Sequence, residues 1–335
     1  MKKGLLIWRL TLTLTFLAGM VAPALAKKKD LYPEMDASKG WGMWEKRVGL
    51  SAFTFVKIGQ GARAEALGGA FTAIADDINA AFWNPAGLGH IKGTAYTFNY
   101  TRWLANSKLL SGALAFDAGF GVIGFSVISF GTEEFPVTTP TAPRGTGEMQ
   151  KAGDIAIAGM FAKRITEKLM LGGQVRWLQE DLVLDKIANV DFSIGTHFYP
   201  GWKSTRFAMG FRNLGADKKV QQGGFQAMMP ATYNVSGAME ILGKKDSKGY
   251  ATLIIEESFI TDYAPSTRVG LEAWLNNMLA LRAGYKSNME LEDWSFGAGL
   301  KHKIRGKTFT ADVSWSRETR GYFDPPLRLT FGGAF

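Results

Sequence analysis

From Gly93 to Phe335, apolar and polar residues alternate with a period of two, in runs of about ten residues broken by turn residues. Thr308 to Ser316 is the clearest run. Thr308, Thr310, Asp312, Ser314 and Ser316 fall on one face, and Phe309, Ala311, Val313 and Trp315 on the other. In Arg268 to Leu275, Arg268 and Glu272 oppose Val269, Leu271, Ala273 and Leu275, while Trp274 departs from the pattern by sitting on the polar side. Leu169 to Trp177 sets Gln174 and Arg176 against Leu171, Val175 and Trp177. A soluble sandwich also alternates. Here, charged positions on one face and apolar positions on the other persist to the last residue, as expected of strands that face lipid on one side and a polar lumen on the other.

The pattern predicts an all-β transmembrane barrel of about 14 antiparallel strands, an even number as bacterial barrels have. They lie near 93–104, 107–117, 120–131, 153–165, 168–181, 187–199, 203–214, 230–242, 248–260, 266–275, 278–287, 293–303, 307–317 and 325–335. Loop lengths give an independent check, because periplasmic turns are short and outer loops longer. With both termini placed on the periplasmic side, Asp117-Ala118-Gly119, Ile165 to Lys168, Asn276-Asn277 and Ile304 to Lys307 are short periplasmic turns. The long connections Gly131 to Ala152 and Gly215 to Met229 fall outside, and Gly243 to Lys248 is a longer periplasmic exception. Leu327, Leu329, Phe331, Gly333 and Phe335 share a face of the last strand, so Phe335 is a candidate signal for the barrel assembly machinery.

Ahead of the barrel, residues 1–26 read as a secretory signal peptide: Lys2, Lys3 and Arg9, an apolar core from Leu10 to Val21, then Ala24-Leu25-Ala26. Lys27-Lys28-Lys29 follows at once, which leaves the cut less sharply set than export itself. No later run of 18 apolar residues predicts a helical span. Export and the barrel pattern together place the chain in the outer membrane of a diderm bacterium. The absence of cysteine excludes disulfides and thiolate metal sites, and 40 glycines with 13% aromatics suit a β-barrel. Formal charge is +9 and falls to +6 without the leader. The basic residues are scattered rather than gathered on one surface, so nucleic acid is excluded as a partner, and outer-membrane lipid headgroups are the milder reading.

Residues 27–92 then form an N-terminal extension and hatch before the barrel at 93–335. Fourteen strands enclose more space than side chains can fill, and Leu31 to Leu88 is the candidate plug. Its small residues Gly59, Gly61, Ala62, Ala64, Ala66, Gly68, Gly69 and Ala70 allow close packing on a wall. Within it, Gly61 to Leu88 holds Asp76-Asp77 and closes on Trp83-Asn84-Pro85-Ala86-Gly87-Leu88. This segment, with Phe53 to Ile58 upstream, resembles the hatch motif of the PorV/PorQ family, outer-membrane barrels related to the FadL fatty-acid transporters. The resemblance implies export or surface delivery of proteins of the type IX secretion kind, with type IX components or substrates as partners. The alternative is FadL-like uptake of hydrophobic small molecules such as long-chain fatty acids. A purely structural barrel is the third reading.

Candidate binding or gating residues in the hatch are Arg63, Asp76, Asp77, Asn84 and Pro85. A charge inside a lumen needs a partner, and Arg176, Arg268 and Arg282 are the expected ones. Asp76-Asp77 reads first as a turn cap that neutralises basic lumen groups. Pro85 biases Asn84 away from helix, and the resemblance implies that the pair marks the handover to the first strand. Trp41 and Trp44 are expected either to anchor at the periplasmic interface or to pack in the core. His90, His197 and His302 fall in separate segments without metal-ligand spacing, and no nucleophile elbow or phosphate loop occurs. No enzyme activity, metal or cofactor is expected.

Overall fold

Every second residue of each strand is held against the interior, and this period assembles the strands into one closed sheet. The computed structural model describes residues 51–181, 186–219, 226–245, 247–289 and 291–335. The signal peptide, Trp41 and Trp44 lie outside them. The barrel strands are β1 Thr94–Arg102, β2 Lys108–Asp117, β3 Val122–Gly131, β4 Gly153–Arg164, β5 Leu169–Asp181, β6 Lys186–Phe198 and β7 Arg206–Gly215. They continue as β8 Thr232–Leu242, β9 Gly249–Ile260, β10 Ser266–Leu275, β11 Leu279–Lys286, β12 Glu292–Ile304, β13 Lys307–Glu318 and β14 Leu327–Ala334. Each is antiparallel to its chain neighbour, and β14 pairs back onto β1 in register from Ala95 with Ala334 to Arg102 with Leu327. No edge is left open, so every strand can satisfy its backbone groups within lipid.

All fourteen expected strands are present, with ends within three residues of those read from the sequence. Thr308, Thr310, Asp312, Ser314 and Ser316 face inward and Phe309, Val313 and Trp315 outward. Trp274, the departure from the pattern, is buried on the lumen side under Arg282 and Lys301. The outer surface is a belt of exposed side chains such as Phe98, Phe125, Val175, Phe192, Leu281 and Phe331. In water it would be an apolar patch of prohibitive size; against hydrocarbon it is the favourable face. Two pairs of two-residue strands escaped the sequence reading because they carry no period: Phe135–Pro136 with Met149–Gln150, and Lys218–Lys219 with Gln226–Ala227. They extend the two long outer loops.

The seam is closed by the chain end. The Phe335 N–H donates to the Thr94 carbonyl at 2.9 Å, and Thr94 returns the bond at 2.7 Å. The Phe335 ring stays exposed beside Tyr96 and under Lys307.

The first described residues of the hatch lie at the end of the barrel that carries the long loops. Ala52 N–H donates to the Met228 carbonyl in the long outer loop at 3.0 Å, and Lys57 pairs at 2.7 Å with Asp262 in the β9–β10 outer loop. The segment thus starts at the outer mouth, descends through the lumen, and reaches the periplasmic end only at Gly93. Loop lengths could not reveal this, because they order strands and say nothing of a segment that precedes them.

Candidate functional site

The hatch has little regular structure: single helical turns α1 Ala62–Glu65 and α2 Ala80–Trp83, with 3-10 turns Thr54–Lys57, Thr72–Ile74 and Pro85–His90. Helices this short are not stable alone, so the wall must hold them. Phe53, Phe55, Leu67, Phe71, Ile74 and Leu88 are all fully buried, and each contributes roughly 1.5–3 kcal/mol by leaving water. Backbone meets backbone where glycines of the wall face the hatch. A Cβ on Gly284 would lie 2.0 Å from the Gly68 nitrogen, and one on Gly172 would lie 2.3 Å from that of Ala86. Gly68 itself adopts φ +66°, with the Tyr285 backbone 2.9 Å from where its Cβ would be. The small-residue run is therefore a packing surface, as its composition suggested, and its counterpart is a set of inward wall glycines.

Charge fastens the hatch on two sides of α1. On one, Arg63 forms a bidentate pair with Glu272 of β10 at 2.8 and 2.9 Å and donates to Asp76 and Asp77 at 2.7 Å each. Lys245 reaches Asp76 at 2.6 Å from the β8–β9 turn, which accounts for that turn's extra length. Asp77 also accepts from the Asn79 N–H at 2.7 Å, so the acidic pair does cap a turn and neutralise cations. The expected cations are not the partners, however. Arg176 pairs with Asp191, Arg268 with Glu256, and Arg282 with Glu272 and Asp312. Arg282 meets the Arg63 cluster only through their shared Glu272. Pairing within the hatch won because Arg63 and Asp76 are brought together by the local fold.

On the other side of α1, Glu65 joins Lys286 at 3.2 Å and Arg328 at 3.3 Å, and both cations also bind Glu292 at 2.9 Å. Glu256 accepts from the Phe71 and Thr72 N–H groups at 3.1 and 2.9 Å. Neither carboxylate was singled out in the sequence. The strand member had a signal, a charge in the inward phase of a strand; Glu65 had none. Asn84 is fully buried, donating to the Thr72 and Thr196 carbonyls at 3.1 Å and accepting from the Ala86 N–H at 3.2 Å. With Pro85 it opens the last hatch turn before β1.

Two of the three histidines, His90 and His197, meet in space. The His90 and His197 rings lie 5.6 Å apart, Tyr199 O–H is 2.9 Å from His90 Nε2, and His197 Nε2 is 2.6 Å from the Thr72 carbonyl. Burial holds the His90 imidazole down at about 4, with Asp76 pulling it up and His197 pressing it further down. Burial acts to raise the Asp76 carboxyl, but Lys245 and Arg63 override it and hold the group well below its usual range. An unfolded histidine titrates near 6.5. Between 6.5 and 4 the released hatch therefore binds more protons than the docked one, so docking weakens as pH falls through that window. Asp76 stays ionised across it and loses its contribution only below the ordinary carboxylate range. Hydrogen exchange of residues 72–90, corrected for intrinsic rates, should show protection falling from pH 7 to pH ~4.5, and His90→Asn should flatten that fall.

Above the hatch, the outer half of the lumen holds a cavity of about 460 Å³. Phe55, Val56, Ile58, Ile128, Phe130 and Ile260 supply apolar walls, and Phe82 with Trp83 part of the floor. Its cations are mostly neutralised by the pairs given above. Arg212 is different. Its guanidinium donates to the Phe82 carbonyl at 3.0 Å and lies 5.1 Å over the Trp83 ring. No carboxylate of the described residues lies within 4.0 Å of it, and its Nε is buried without a hydrogen-bond partner.

Comparison with known proteins bears on the fold. The chain is similar to the crystal structure of the toluene transporter TbuX of Ralstonia pickettii, with TM-score 0.58 at 13% identity over 85% of this chain and 98% of that one. The likeness is one of fold, that of a closed antiparallel barrel. The monoaromatic hydrocarbon channel CymD gives TM-score 0.54 at 11% identity, covering 83% of this chain and 98% of its own. The Pseudomonas putida toluene transporter TodX gives 0.51 at 11%, covering 88% and 96%. Residues 31–174 match an uncharacterised protein family (UPF0164), and no curated protein matches. These likenesses show the fold alone; the PorV/PorQ resemblance rests on residues 53–88.

Proposed function

We propose that this barrel admits small hydrophobic molecules across the outer membrane, and that its ligands include amphiphiles with an anionic head, such as long-chain fatty acids. The observation that carries the reading is the cavity between the outer mouth and the hatch. Its apolar walls suit a hydrocarbon, and its dimensions fall in the usual range for small-molecule pockets. Among the described residues that line it, Arg212 is the cation with no carboxylate within 4.0 Å. The neighbours in fold are described as toluene transporters and a hydrocarbon channel, which favours uptake over secretion. A type IX role is supported only by the resemblance of residues 53–88, and protein cargo has no need of a small-molecule cavity in the lumen.

Ligand binding to the purified chain in detergent tests the reading. Trp83 and Trp103 line the cavity, so a long-chain fatty acid should change tryptophan emission saturably, and toluene should compete. A linear, unsaturable response would refute it.

A further inference from the structure

Where the hatch ends, near the short turns of the barrel, donors from three elements converge. His90 closes the turn Pro85–His90, His197 lies in β6, and Met170 lies in β5 directly across the strand pair from His197. Both strand residues point inward and are almost wholly buried, at 1% exposure each. The Met170 sulfur also reaches the hatch: it lies 3.3 Å from where a Cβ on Gly89 would stand, next to His90. A carbonyl only accepts, so the 2.6 Å contact of His197 Nε2 with the Thr72 carbonyl fixes a ring proton on Nε2. The lone pair is left on Nδ1, which is buried without a hydrogen-bond partner among the described residues. His90 can match this arrangement. The Tyr199 oxygen, 2.9 Å from His90 Nε2, can accept a hydrogen bond there and leave the His90 Nδ1 lone pair free. Metal-ligating histidines are commonly held in this way, the second ring nitrogen donating to an oxygen.

We propose that His90, His197 and Met170 form a binding site for a single copper(I) ion, which ties the end of the hatch to the wall. Two imidazoles and a thioether make a soft, uncharged donor set, and thioether sulfur selects copper(I) over zinc and the hard divalent cations. The ring separation suits one shared ion. With metal–nitrogen bonds of roughly 2.0–2.1 Å and trigonal angles, the two ring centroids would stand about 5.5 Å apart, and they stand 5.6 Å apart. Carboxylates are missing from the set. Among the described residues no three of His, Cys, Asp and Glu could hold a metal, and Asp76 is already held by Arg63 and Lys245. A monovalent ion is also less costly to bury than a divalent one. His90 is only half-buried, so the ion has a way in from the short-turn end. No spacing in the sequence announces the site, because strand register and the hatch, not chain proximity, bring its donors together.

Purified full-length chain, kept under ascorbate and titrated against the chromophoric copper(I) chelator bicinchoninate, tests the site. It should retain one copper(I) per chain, and excess zinc should not displace it. Met170→Leu keeps the side-chain volume, and His90→Asn changes a half-buried position; each should weaken retention roughly 10-fold or more. Met160→Leu is the control, since Met160 is a buried methionine of β4 whose sulfur lies by Gly124; it should bind as wild type does. X-ray absorption of the copper-loaded chain should show a sulfur neighbour that Met170→Leu lacks. Failure to retain copper, equal retention by Met170→Leu and Met160→Leu, or displacement by zinc would each overturn the proposal. Each would leave the hydrophobic-uptake reading untouched.

Discussion

Gly284→Val and Gly172→Val are expected to unseat the hatch while leaving the barrel closed. The introduced side chains would have to occupy space filled by the backbone of Leu67–Gly68 and of Pro85–Ala86. Overpacking costs about 1–3 kcal/mol even where flexible side chains can yield, and these backbones are fixed by neighbouring turns. The fourteen-strand ladder does not depend on either contact, so heat-modifiable migration of the folded barrel should persist. What changes is the lumen: in planar bilayers the double variant should conduct in open steps, where the wild-type chain stays closed. Gly159→Val is the control, since a Cβ there meets nothing within 4 Å. A double variant as closed as wild type would show that the hatch is not what seals the lumen.

Arg212→Gln should separate anionic from neutral ligands. Glutamine can still donate to the Phe82 carbonyl, so the site keeps its local hydrogen bond and loses the charge. A charge-assisted hydrogen bond is worth about 1.5–3 kcal/mol, so affinity for a fatty acid should drop roughly 10- to 100-fold. Its methyl ester and toluene should bind nearly as before. Equal losses for acid and ester would assign Arg212 a structural role. Arg176→Gln cannot serve the same purpose, because it would strand the fully buried Asp191 that Arg176 now neutralises.

The wall was legible because one face of each strand meets lipid and the other a polar lumen, so burial imposes the same two-residue period that the sequence displays. Even Trp274, an apolar residue in the polar phase, faces inward where Arg282 and Lys301 cover it. The hatch was legible as a small-residue segment, but not in its pairing. Arg63, Asp76 and Asp77 were each singled out, yet nothing in their spacing shows that a chain of single turns folds them onto one another. Glu65 and Arg212 went unmarked for a related reason: their importance lies in the partners they have or lack, which are set by strands far away in sequence. The seat of Ala52 and Lys57 at the long-loop end was beyond the reach of a pattern that begins only at Gly93.

The claim at the centre is that a hatch-plugged barrel passes small hydrophobic molecules inward. Purified full-length chain reconstituted in liposomes, with an acid-sensitive dye trapped inside, measures this directly. Long-chain fatty acid added outside should acidify the lumen faster than in protein-free liposomes, and Arg212→Gln should lose much of the gain. Identical rates with and without the protein would contradict the account.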